Sequence, residues 1–295
     1  MRRMGLSCQR ELYVCIVNNL GMSKFKFTEE SGTIMEKVAA DINTLATFLG
    51  KRDVAELKKH ILKEKYGFEK ADVMVLFGGS IIAGGDVLAD AIHNDIAGVY
   101  IIVGGAGHTT DTLRQAVHTE YPEIDTEGLT EAEIFQKYLS TIYKCNADYL
   151  ETRSTNCGNN ITYLLDLIKE KNIECNSIII CQDATMQNRM DAGMRMYSTD
   201  MEIINYAAYN AKVIFSNGKL DYADNIHGMW DIERYVNLLM GEIPRLTDNE
   251  SGYGPNGRGF IAHVDVPESV REAFYRLQST YGNVTREANP MFASK

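Results

Sequence analysis

Four short stretches of this chain gather residue types that bind and transform small molecules. Gly78-Gly79-Ser80 follows the apolar run ADVMVLF, and Gly104-Gly105, Gly107 and His108 follow GVYIIV. Ser154, Thr155, Asn156 and Asn160 lie within ETRSTNCGNN. Gln182, Asp183 and Thr185 follow SIIIC, with Arg189 one helical turn further on. Glycine lets a ligand approach the main chain, and the amides that open a following helix favour an anion. The hydroxyls and carboxamides of Ser154, Thr155, Asn156 and Asn160 suit the polar atoms of such a ligand. Asp183 suits a ribose hydroxyl or an amine, and the Arg189 fork suits a carboxylate or phosphate. Glu131 and Asp183 are the candidates for proton transfer, with His108 as an alternate.

Each feature also has a plainer reading. A glycine pair makes a tight turn, and Ser154, Thr155 and Asn156 can cap the helix that follows them. Thr130 and Glu133 form a capping-box pattern, which leaves Glu131 as a first-turn charge. His108 can be an ordinary loop residue. All four strand ends nevertheless choose small or polar residues, which turns alone do not require, and this convergence favours a site.

Those stretches need a scaffold. ADVMVLF, GVYIIV, ADYLE and SIIIC read as strands, the apolar ones buried on both faces. Helical spacing separates them at 87–96, 113–117, 131–143 and 160–171. Alternating strands and helices predict a Rossmann-like parallel sheet with helices on both faces. AKVIFSN is expected to add an edge strand. Before the sheet, 22–70 reads as helical, with Ile34, Val38, Ile42, Leu45 and Leu49 on one face, Gly50 as a stop, and a second helix through Val54, Leu57, Ile61 and Leu62. After the α/β domain at 71–216, residues 217–295 read as a helical region with a Gly-rich loop. WDIERYVNLL is expected to stop at Gly241, and PESVREAFYRLQSTYG to run from Pro267 to Gly282. This region and the N-terminal helices are expected to make a smaller, mostly helical domain. Residues 1–21 read as an extension, with Met22 as an alternative start.

Composition removes several classes. The formal charge is −10 and no basic run is present, which argues against nucleic acid and anionic membranes as partners. No stretch approaches the roughly 20 apolar residues that span a bilayer. The six cysteines form no CxxC pair and no cluster with histidine, so a reduced, cytoplasmic protein without a metal is expected. Dinucleotide and P-loop fingerprints are missing: the first strand ends in GGSIIAGGD rather than GxGxxG, and the second ends without an acid. Neither HExxH nor a GxSxG nucleophile elbow occurs.

The succession ADVMVLFGGS, IIVGGAGHTT, ETRSTNCGNN and QDATMQNRM resembles the ElyC/SanA/YdcF family of bacterial α/β proteins. GMWDIERYVNLLMGEIPRLTDNESGYGPNGRGFIAHVDVP is similar to its YdcF-like branch, and the likeness runs from Met22 almost to the end. The resemblance implies a cytoplasmic Rossmann-like protein with S-adenosylmethionine as candidate ligand, and no defined reaction. It matches the family's glycine pairs to Gly78, Gly79, Gly104 and Gly105, and its Ser/Thr-Glu-Ala motif to Thr130, Glu131 and Ala132. The pattern S-x-N-T-x-E-N matches at Ser154, Asn156 and Asn160 and departs at Cys157 and Asn159. Asn159 replaces a carboxylate, so any acid chemistry moves to Glu131, Glu151 or Asp183. After the fourth strand the family's arginine falls one position later here, at Arg189.

These readings converge on a small-molecule-binding protein with an adenosyl- or nucleotide-like ligand at the strand ends; catalytic turnover is left open. One alternative is a non-catalytic sensor that signals to a protein partner through 253–258. Another is a hydrolase or transferase acting on envelope-precursor phosphates or glycans.

Overall fold

The computed structural model describes residues 13–18, 21–26, 29–79, 81–107, 109–198 and 200–282. Strands β1 (Tyr13–Asn18) and β2 (Gly21–Lys26) pair antiparallel. They occupy part of the presumed extension and the start of the region expected to be helical. Helices α1 (Glu29–Leu49) and α2 (Lys59–Tyr66) follow. Val54 and Leu57, expected inside the second helix, instead bury their side chains from the connection before it.

The α/β region then runs β3 (Ala71–Phe77), α3 (Ala83–His93), β4 (Ala97–Val103), α4 (Thr110–Glu120) and α5 (Glu131–Tyr138). A π turn, Leu139–Tyr143, extends α5 before β5 (Tyr149–Glu151), α6 (Cys157–Glu170), β6 (Ser177–Cys181), α7 (Gln187–Tyr197) and β7 (Glu202–Asn205). The five strands form one parallel sheet in the order β5-β4-β3-β6-β7. This is the expected Rossmann-like α/β fold. The chain builds outward from β3 through β4 to β5, then returns to add β6 and β7, so the direction of growth reverses between β3 and β6. In open α/β sheets ligands bind at such a switch point, beyond the carboxyl ends of the strands.

Side chains alternate across the sheet, as the two-residue period of a strand requires. Val73, Val75, Phe77, Ile101, Val103, Ile178 and Ile180 pack with Ile161 and Leu164 of α6 and with Met190 and Met194 of α7. Met74, Leu76, Ile102, Ile179 and Cys181 join the larger core on the opposite face.

The strands differ from the sequence reading in two places, one missed and one misplaced. β7, sequence EIIN, is a full member of the sheet, but only four residues long and without flanking glycines to mark it. β8 (Val213–Ser216) does not join the sheet; it pairs with β9 (Lys219–Tyr222) as a hairpin. The turn between them is Asn217-Gly218, both at positive φ, which is the geometry that dipeptide favours.

Helix α8 (Ile232–Leu246) runs through both Gly241 and Pro244 rather than stopping there. Its buried face of Tyr235, Val236, Leu239, Met240, Ile243 and Leu246 outweighs the one backbone bond that proline removes. Helix α9 (Glu268–Tyr281) lies between Pro267 and Gly282 as expected. Ile42, Leu45 and Leu49 of α1 share one continuous core with Met74 and Leu76 of the sheet, Leu239 of α8 and Leu277 of α9. Arg276 of α9 also grips Asp41 of α1 through both carboxylate oxygens, at 2.9 and 3.0 Å. The helical parts associate with each other, and they share one core with the α/β region. Among the described residues no helix is long and apolar enough to cross a membrane.

Candidate functional site

The carboxyl edge of the sheet is stitched together from strand to strand. Gln182, at the end of β6, donates from its side-chain nitrogen to the Gly78 carbonyl at the end of β3, 3.2 Å away. Gly78 and Gly104 face each other so closely that a Cβ on either would lie 3.1 Å from the other's Cα. The Gly105 amide donates to Ser154 Oγ beyond β5 at 3.2 Å. The loops that follow β6, β3, β4 and β5 thus meet along one edge, as their sequences suggest.

Glu131 sits at the centre of this edge. Thr130 and Glu133 form the capping box that starts α5, and the Glu131 and Ala132 amides donate to the carbonyls of Gly105 and Gly104. The helix therefore docks end-on against the terminus of β4 and carries Glu131 inward, where it is only 7% exposed. Its Oε1 accepts from the hydroxyls of Thr109 (3.1 Å) and Thr110 (3.0 Å), and Thr110 Oγ1 accepts from the Gly107 amide (2.7 Å). Burial pushes the carboxyl above its ordinary value, against the lowering pull of Thr110, Thr109 and the Arg114 charge. A buried carboxyl of this kind can hold or deliver a proton.

The structure explains most of the glycines by protein contacts rather than by ligand approach. A Cβ at Gly78 would lie 2.6 Å from Glu131 Oε2, and one at Gly104 would lie 3.0 Å from Glu131 Cβ. At Gly105 it would lie 2.1 Å from the Ser154 carbonyl oxygen. Gly79 and Gly107 are the more open pair, with nearest contacts at 3.2 and 3.6 Å.

Asp183 and Arg189 are also engaged by the protein. Asp183 Oδ1 accepts from the Thr185 amide (2.9 Å), the Thr185 hydroxyl (2.8 Å) and the Tyr209 hydroxyl (2.7 Å), while Oδ2 accepts from Trp230 Nε1 (3.2 Å). Burial and the neighbouring Asp183 charge hold the Tyr209 hydroxyl well above its usual pKa, so it stays a donor. Arg189 forms the expected two-pronged contact, but its partner is Glu242 of α8, at 2.5 and 3.1 Å. Arg245 adds a third donor to that carboxylate at 2.9 Å. Arg189 is thus a strut between α7 and α8. Glu151 turns back on its own chain and accepts from the Arg153 (2.7 Å) and Ser154 (3.2 Å) amides.

Asn156 caps α6, its Oδ1 accepting from the Asn159 amide at 2.9 Å, and its Nδ2 donates to Asn159 Oδ1 at 2.8 Å. Asn159, which stands where the family has a carboxylate, thereby takes part in the cap. Thr155 is exposed and Asn160 buried. Ser80 and His108 lie outside the described residues. Among the described residues no group of three His, Cys, Asp or Glu side chains is placed to hold a metal ion.

The pocket at the switch point is lined by Gly79, Ile81, Gly84, Gln182, Asp183 and Ala208, among others. Its volume is about 10 Å³, room for about one water. Sequence reading missed Tyr209 and Trp230, which bond the lining residue Asp183 from outside the four strand ends, and the Asp86–His227 pair that ties α3 to the connection between β9 and α8. The clustering of Asp, His and Trp between β9 and α8 signals His227 and Trp230, while Asp86 and Tyr209 carry no such mark. No protein-family model matches the chain.

Proposed function

We propose that this chain is a cytoplasmic, YdcF-like small-molecule-binding protein whose ligand is adenosyl- or nucleotide-like, with S-adenosylmethionine the first candidate. The observation that carries this reading is Glu131, a buried carboxyl raised by burial at the point where the ends of β3, β4 and β5 meet. The strand order, with its reversal between β3 and β6, supports a site along the same carboxyl edge of the sheet.

The described residues suit one part of S-adenosylmethionine and not another. Thr155, which is exposed, offers a hydroxyl to the adenosine beside the open backbone of Gly107. Arg189, the cation expected for the amino-acid carboxylate, already serves Glu242. We therefore assign no reaction step to that ligand. What the chain itself contributes is a proton-holding carboxyl at Glu131, oriented by Thr109 and Thr110.

Mass spectrometry of small molecules released from the purified protein, followed by calorimetry with S-adenosylmethionine and nucleotides, tests the proposal. A ligand at 100 times its dissociation constant adds about 2.7 kcal/mol of stability. Absence of heat for every adenosyl or nucleotide compound at about millimolar concentration, the weakest affinity worth assigning, would overturn it.

One further observation favours a sensor within this reading. Helix α7 starts just after Asp183, and further along it the Ala192 carbonyl accepts from the Ala262 amide at 3.0 Å, just beyond the Gly-rich segment. A sensor predicts ligand-dependent protease protection of 253–258 with the ligand recovered unchanged. Recovery of a converted product would make the protein an enzyme.

A further inference from the structure

The connection between β9 and α8 lies across the outside of the switch-point pocket and is fastened at several points. The His227 carbonyl accepts from the Ala83 amide at the start of α3, 3.3 Å away. Gly228 adopts φ +70 directly over Ile82, where a Cβ would lie 3.1 Å from the Ile82 backbone nitrogen. Trp230 bonds Asp183, itself a lining residue of the pocket, and the Arg234 guanidinium stacks 4.4 Å over the indole. The remaining fastening is ionic. His227 Nδ1 lies 2.7 Å from Asp86 Oδ2 of α3, and Nε2 lies 2.9 Å from Glu120 Oε1 at the end of α4.

Both ring nitrogens face carboxylates, and both can donate only when the imidazole is protonated. The other groups facing the ring come from the end of α4 and from α5. Tyr121 places its hydroxyl 3.4 Å from Nε2, and the Tyr138 ring lies 6.3 Å from the imidazole. Tyr138 and Tyr143 donate to Asp86 Oδ1 at 2.6 and 2.8 Å, which keeps that carboxylate fixed against His227. On deprotonation one nitrogen turns its lone pair toward a carboxylate, and that half of the bridge becomes repulsive.

We propose that residues 226–231 are a latched cover over the switch-point pocket, held down by the Asp86–His227–Glu120 bridge and released when that bridge loses its positive charge. The cover explains how a pocket with room for about one water can serve a larger ligand. The inference rests on the ligand reading above, because it assigns the pocket's entrance. Burial works against the charged ring, but Asp86 and Glu120 together raise His227 above its ordinary value. The latch is therefore fully closed below the ordinary histidine value of about 6.5 and opens as pH rises through the raised value.

Trp230 is the chain's single tryptophan, so its fluorescence reports the cover directly and without ligand. In the full-length protein, acrylamide quenching should rise several-fold between about pH 5.5 and pH 9, in one histidine-like step. Glu120→Gln, at a half-exposed position, should move that step to lower pH with the fold intact by circular dichroism. His227→Gln should be strongly quenched throughout the range. Quenching that stays flat with pH, or an unmoved step in Glu120→Gln, overturns the latch. Calorimetry with S-adenosylmethionine and ATP at both ends of the range then separates the two ideas. Faster or tighter binding with the cover open supports gating, and equal binding in both states overturns it. No binding in either state, with quenching still tied to His227, overturns the ligand reading and the gating role with it, leaving only the latch.

Discussion

Glu131 carries the sharpest residue-scale consequences. Because burial raises its folded-state value, the folded protein binds its proton more tightly than the unfolded chain does. Its contribution to stability therefore falls as pH rises from the ordinary glutamate range through the raised value, and stays lower above it. Glu131→Gln keeps an oxygen to accept from Thr109 and Thr110 and removes the charge. The variant should match the native melting temperature near pH 4 and exceed it near pH 7, since only the native side chain ionises in this range. If the protein turns over a ligand by proton transfer, the same variant abolishes that step. The glycines give a second contrast. Gly105→Ala drives a methyl group into the Ser154 and Thr152 carbonyls, which are main chain, and should cost about 2–3 kcal/mol in urea unfolding. At Gly193 the nearest atom is the tip of Ile161, a side chain that can rotate away, and Gly193→Ala should stay within about 1 kcal/mol of native. Gly78, Gly104 and Gly105 are visible in the sequence as small residues at strand ends. Their reason is not, because close contact between two backbones depends on neighbours that only the fold supplies.

At the scale of elements, the Arg189–Glu242 pair decides how α7 and α8 sit together. Both side chains are largely buried, so removing one leaves the other charged without its main partner. Glu242→Gln should destabilise the protein by about 3 kcal/mol, measured by chemical unfolding. Arg189→Leu should lower stability comparably; loss of ligand binding in that variant with an unchanged melting temperature would instead make Arg189 a ligand residue. The strands and helices of the α/β region are legible because each keeps one period over its length, and the capping box at Thr130 is legible because it is local. Glu242 lies 53 residues from Arg189 and carries no local mark of the pairing. Pro244 shows the opposite failure: a strong local stop signal is overridden because α8 buries a full apolar face.

For the whole molecule, the continuous core means that the helical regions and the sheet should unfold together. A chain ending at residue 216 loses α8 and α9, which pack on α1 and share the core of Ile42, Leu45 and Leu49. It should fail to give the single cooperative melt expected of the full chain, by circular dichroism and calorimetry. The sheet's two outer strands also differ from bare templates. β5 is only three residues long, and beside β7 the chain folds back so that Arg52 bridges Tyr206, the Asp53 amide donates to the Asn205 carbonyl, and the Asp53 carboxylate accepts from the Asn205 amide. A neighbouring molecule seeking to extend the ladder thus finds the carboxyl end of the four-residue β7 already claimed and β5 too brief to hold. Concentrated solutions should resist fibril growth seeded from this sheet.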